Sequence, residues 1–137
     1  MAFIPYKGRF KTIYLGMTTS TVVSRYAVAS VSSGLLIAAT SSTTALSHLG
    51  VFAKAIVAAD SDYASARKVG VIVPLEKNCE WLADVTATLL STDSGAEVDF
   101  TDSLNINRGA SSVDTCMIRD FISTTKCTCV LKLQASY

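Results

Sequence analysis

Histidine, tryptophan and proline are nearly absent from this 137-residue chain, which has one His, one Trp and two Pro. His48 therefore has no second histidine with which to share a metal, and a nucleophile–histidine–acid site needs partners that the surrounding sequence does not offer. Set between Ser47 and Leu49, it reads as a structural residue beside a helix end or turn. No G-x-S-x-G, no phosphate-cradling glycine loop and no H-x-x-x-H occurs. Long apolar runs are missing too. The run at residues 35–39 is far shorter than the roughly 18–20 residues that cross a bilayer, and Lys54 interrupts residues 51–59. The opening MAFIPYKGRF lacks an apolar h-region, so the expectation is a chain made and kept in a cytoplasm, or released from one.

One-sided charge is also lacking overall, with a net charge of +1, so no whole-molecule field draws the protein to nucleic acid. The distribution is uneven. The first 59 residues carry Lys7, Arg9, Lys11, Arg25 and Lys54 and no acid. From Asp60 onward eleven acids face seven bases, a balance of −4. Such a split suits a basic face that docks on an acidic partner, a neighbouring copy of the chain included.

What is abundant is alternation. Cys127, Cys129, Leu131 and Leu133 fall on one face of an extended segment, and Thr128, Val130 and Lys132 on the other. Trp81, Ala83, Val85, Ala87 and Leu89 repeat the pattern. A period of two is the pleat of a strand. Strands are predicted within residues 12–30, at 35–40, 67–75, 79–90, 96–100, 113–123 and 126–134, with turns at 32–34, 41–44, 60–66, 76–78 and 91–95. Residues 102–112 read as a loop. Residues 45–49 read as a short helical turn capped by Thr43 or Thr44 and ended by Gly50. Residues 51–59 are read as strand against their alanine content. The fold class is mainly β: a single-domain barrel, β-tulip or sandwich-like structure with at most one short helix, no second domain and no repeat.

Residues 1–11 read as an extended N-terminal arm ahead of a β-rich domain at 12–137. Pro5 and Gly8 discourage regular structure there. Phe3, Tyr6 and Phe10 are interleaved with Lys7 and Arg9, a mixture suited to packing either on the domain itself or on a partner. These five residues are the candidate contact site, and deleting residues 2–11 is expected to weaken partner binding while leaving the domain folded. The Lys7, Arg9, Lys11 cluster is too short for a specific nucleic-acid site.

Cys79, Cys116, Cys127 and Cys129 are expected to be reduced core thiols. C-x-C on a strand is the wrong spacing for a zinc knuckle, and a hairpin closed at residues 123–125 sets Cys116 opposite residues near 132. Asp93, Asp99 and Asp102 do not match an EF-hand and read as turn-capping residues. Glu80 and Asp84 fall on the polar face of the Trp81 strand. No catalytic residue, cofactor or metal is expected.

Five stretches carry a resemblance to a known family: RYAVASVSSGLLIAAT, LGVFAKAIVAAD, VGVIVPLEKNCEWLADVTA with its Trp81, GAEVDFTDS, and the closing CMIRDFISTTKCTCVLKLQ. Together they resemble the small decoration (cement, or head-stabilising) proteins of tailed bacteriophages from about Tyr26 onward. The cysteines and the aromatic-rich arm depart from that pattern. The resemblance implies a barrel-like domain on the capsid exterior of a virion, a homotrimer whose partner is the major capsid protein, with no membrane or specific nucleic acid involved. Alternatives are a tail-tube, neck or fibre-base subunit, or a small cytoplasmic β-barrel ligand binder or enzyme using His48 and the aspartates at 93–102.

Overall fold

Eleven strands account for nearly all regular structure in the computed structural model, which describes residues 3–17, 20–40, 48–60, 67–76, 78–86, 88–110 and 115–132. They are β1 (Phe3–Lys7), β2 (Phe10–Met17), β3 (Val28–Ser32), β4 (Leu35–Ala38), β5 (His48–Phe52), β6 (Arg67–Pro74), β7 (Glu80–Thr86), β8 (Glu97–Asp102), β9 (Asn105–Asn107), β10 (Cys116–Ser123) and β11 (Lys126–Leu131). A single 3-10 turn at Ser91–Asp93 is the helical element among the described residues. The mainly β, barrel-like fold class read from the alternation is the observed one.

The strands close into two barrels. In the first, the order is β2-β4-β3-β5-β6, returning to β2. In the second, β7 pairs with β11, β11 with β10, β10 with β8, β8 with β9, and β9 returns to β7. Relabelled by position within each half, both barrels have the order first-third-second-fourth-fifth. In both, the first and third strands pair in parallel and the other pairings are antiparallel. One five-strand topology is thus used twice. This corrects the expectation of no repeat: strand order repeats where residue identities do not, and sequence patterning reports only the latter. Closure removes most of the open sheet edge that would template aggregation.

Local chemistry explains the elements. In β6 every second residue, Val69, Val71 and Val73, enters the first core; in β7, Trp81, Ala83 and Val85 enter the second. Ser33 and Gly34 both have positive φ, 51° and 80°, the geometry of a type I′ turn, whose twist suits the tight β3–β4 hairpin. The β10–β11 hairpin sets Cys116 opposite Leu131, as the spacing required, while Leu133 lies outside the described residues.

β3 and β5 form a wall between the cores. Val28 and Val51 face the second core; Ala27, Ala29, Leu49 and Phe52 face the first. Strands buried on both faces lose the polar half of their alternation. That is why alternation gives no reliable guide over residues 48–52. The expected helical turn is corrected to strand from His48, and the strand expected over 51–59 ends at Phe52, followed by bends and a single bridge from Ile56 to Val23. The loop expected at 102–112 contains β9, too short for its period to show. The turn at 41–44 and most of that at 60–66 lie outside the described residues. Because the cores share a wall, the two barrels make one domain.

Candidate interaction site

The N-terminal residues do not form an arm. Gly8, at φ +108°, turns the chain between β1 and β2, and Cys79 Sγ fills the space a side chain there would need. β1 pairs with β7, Phe3 opposite Ala83 and Pro5 opposite Trp81. β2 enters the other barrel, so the boundary expected after residue 11 falls inside a strand. Phe3 is wholly buried, edge-to-face on Phe100 with centroids 5.1 Å apart. Phe10 meets Trp81 edge-to-face at 4.9 Å. Phe3 is corrected from a contact residue to a core residue, while Phe10 is half-buried, packed against the edge of the second core.

Tyr6, Lys7 and Arg9 remain outside. Tyr6 is half exposed beside exposed Ile4, and Lys7 Nζ lies 5.6 Å from the Tyr6 ring centre. The Arg9 main chain is fixed on both sides. Its N–H donates to Glu76 Oε1 (3.2 Å), and its carbonyl accepts from Leu75 N–H (2.8 Å) and weakly from Cys79 Sγ (3.5 Å). The Arg9–Glu76 ion pair (3.7 Å) is exposed and adds little stability. Ile4, Tyr6, Lys7, Arg9 and Leu75 therefore form a mixed apolar–cationic strip on a rigid backing, not on a tether.

The chemistry-bearing residues are dispersed. His48 sits on β5, fully buried and tilted against Phe100, with neither ring nitrogen hydrogen-bonded. Burial lowers its pKa to about 4. The neighbouring Lys132 main chain opposes this, although neither nitrogen reaches it in bonding geometry. Ser30, opposite His48 in the register, and Thr115 are also buried with unpaired hydroxyls. Burial pushes Cys127 up to about 12 and raises Cys129 well above the thiol range, which keeps both as unreactive thiols. All four cysteines are buried and unbridged.

The aspartates named as an alternative site have separate tasks. Asp93 takes two hydrogen bonds from Arg108 (2.8 and 3.2 Å) and one from Leu90 N–H, which hold its carboxyl below the usual range. Asp99 is buried. Asp102 accepts from Leu104 N–H and the Asn105 amide, capping the β8–β9 turn as expected. Glu80 and Asp84 lie on the outer face of β7, Asp84 bridged to Lys126 at 2.7 Å. Among the described residues no group of three His, Cys, Asp or Glu side chains is placed to hold a metal ion.

A pocket on the first barrel was missed by sequence reasoning. It has a volume of about 420 Å³ and is lined by Tyr14, Ala53, Lys54, Ile56, Lys68 and Gly70, among others. Tyr14 and Gly70 are register partners on β2 and β6. The missing Gly70 side chain leaves room beside the Tyr14 ring, because a Cβ there would come within 3.4 Å of Tyr14 Cε1 and 3.1 Å of Thr12 Cγ2. Arg67 and Asp60 meet at 3.8 Å on its rim. Only the β2–β6 register brings residue 14 to residue 70, and no local pattern reports it.

No protein-family model matches the chain, and no curated protein matches it significantly.

Proposed function

We propose that this protein is a virion structural protein that works by adhesion: a decoration protein on the outer surface of a phage capsid, self-associating and bridging major capsid protein subunits. The observation that carries the reading is the division of its surface and interior. His48 and the four thiols are buried, three of the thiols in the second core. Large apolar side chains, Ile4, Tyr6 and Leu75, stand exposed on ordered backbone beside Lys7 and Arg9. Exposed apolar groups rimmed by charge mark contact surfaces. The likeness in the five sequence stretches named above supports the capsid as partner. A rigid double barrel spanning a junction stabilises an assembled shell by mass action, since only the assembled state offers the whole site.

The test is co-sedimentation of the recombinant chain with capsids of the virus whose genome encodes it. Wild type pellets with expanded capsids. A Tyr6→Ala/Arg9→Glu variant, with unchanged thermal stability, pellets at least about tenfold more weakly. Equal pelleting of the two removes the strip from the account, and no pelleting of wild type refutes the shell as partner.

A further inference from the structure

We propose that copies of this chain join head to tail, with the end of β10 (Asp120, Phe121 and Ile122) from one copy seated in the Tyr14–Lys54–Lys68 pocket of the next. The inference deepens the self-association half of the adhesive reading and rests on it.

Three observations converge. First, charge divides between the barrels. Residues 10–74, which build the first barrel, carry five bases and two acids, +3; residues 1–9, whose strand β1 pairs with β7, and residues 75–137 together carry seven bases and nine acids, −2. Two copies side by side in the same orientation repel like against like, whereas first barrel against second barrel is attractive.

Second, β10 outruns its partner. Over eight residues it pairs with β8 only at Cys116 and Met117, and Ile118 completes that side by bonding to Gly95 and Ala96. Beyond Ile118, among the described residues, β11 is the only strand paired with it, and the 3-10 turn at Ser91–Asp93 packs near it. Arg119, Asp120, Phe121 and Ile122 are all exposed, Ile122 by 48%. A strand edge carrying large apolar side chains is a template for association unless it is covered.

Third, the pocket has the complementary chemistry. Lys54 and Lys68, beside the Asp60–Arg67 pair, would receive the Asp120 carboxylate, while Tyr14 (66% exposed) and half-buried Ala53 supply apolar surface for an aromatic and an aliphatic side chain. Its volume is within the roughly 300–1,000 Å³ of sites that enclose a compact ligand. Knob and socket lie on different barrels, so the contact is heterologous and propagates to a closed ring or an open filament.

Sedimentation velocity of the full chain at low salt tests this. Wild type associates reversibly, and added salt weakens the association. Lys54→Glu/Lys68→Glu and Asp120→Ser/Phe121→Ser alter exposed residues only; each variant alone sediments as a monomer, with Trp81 fluorescence like wild type. An equimolar mixture of the two forms a 1:1 heterodimer and nothing larger, because one knob and one socket survive. A monomeric wild type, variants that associate as wild type does, or a mixture that fails to combine each overturns the proposal. If wild type is monomeric and binds inorganic phosphate in a Lys54/Lys68-dependent way, the pocket is an anion site instead. A monomer that still pellets with capsids sinks the head-to-tail joint and leaves the shell reading standing; an associating chain that ignores capsids does the reverse.

Discussion

Phe3 is the third residue of the sequence, yet truncating it should behave as a core deletion. Its side chain is fully enclosed, stacked edge-on against Phe100, on the strand that covers Trp81. Phe→Ala at such sites costs about 3–5 kcal/mol, from lost transfer energy and the cavity left behind. A domain of this size is stable by about 5–15 kcal/mol, so the change consumes a large part of the total. It corresponds to a fall in Tm of about 10–20 °C. Urea titration followed by the fluorescence of Trp81, the sole tryptophan, reads the effect directly. Phe3→Ala lowers the midpoint at nearly unchanged slope. Tyr6→Ala, exposed on the same strand, shifts stability by less than about 0.5 kcal/mol. Deleting residues 2–11 removes β1 and the start of β2 together, and the product does not fold, contrary to the behaviour of a free arm. A Phe3→Ala penalty below about 1 kcal/mol would refute the placement of β1 in the core.

Three further outcomes follow from the interior. His48 holds a folded pKa of about 4 against about 6.5 unfolded, so the unfolded state takes the proton first. Stability is full above about pH 6.5 and is lost as pH falls toward 4, by about 2–3 kcal/mol. His48→Leu removes that slope in urea titrations at pH 7.5 and 4.5, and an unchanged slope contradicts the assignment. The thiols should resist alkylation at pH 8 in the native state, and all four should react in denaturant, as counted by mass spectrometry. Rapid native labelling of Cys127 or Cys129 would contradict their enclosure. Gly50→Ala should abolish soluble expression, because a Cβ there overlaps the Ile72 carbonyl oxygen where β5 meets β6. Soluble, cooperatively unfolding Gly50→Ala protein would contradict the register.

Legibility in the sequence followed burial on one face. β7 turns Trp81, Ala83 and Val85 inward and its period of two is plain, β6 shows it more weakly, and the hairpin offset that sets Cys116 apart from the other cysteines is legible too. β5 is enclosed on both sides and shows no period, so His48 could not be placed on a strand. β1 was obscured by Pro5 and Gly8. Pro5 is tolerated because β1 is an edge strand, and Gly8 because a turn requires its positive φ. Of the five contact residues read from composition, Tyr6, Lys7 and Arg9 are at the surface; Phe3 is drawn inside by Phe100 and Phe10 is half-buried against Trp81, partners that are distant in sequence. The doubled topology and the Tyr14–Gly70 pocket depend entirely on long-range pairing.

The proposed adhesive role on a phage shell is tested most directly by electron cryomicroscopy of phage particles assembled with and without this chain. The account predicts density fitting the two-barrel chain at regular positions on the shell exterior, bridging neighbouring capsid subunits through the strip around Tyr6 and Arg9. Shells bare of it, when assembled with the protein in abundance, would contradict the account.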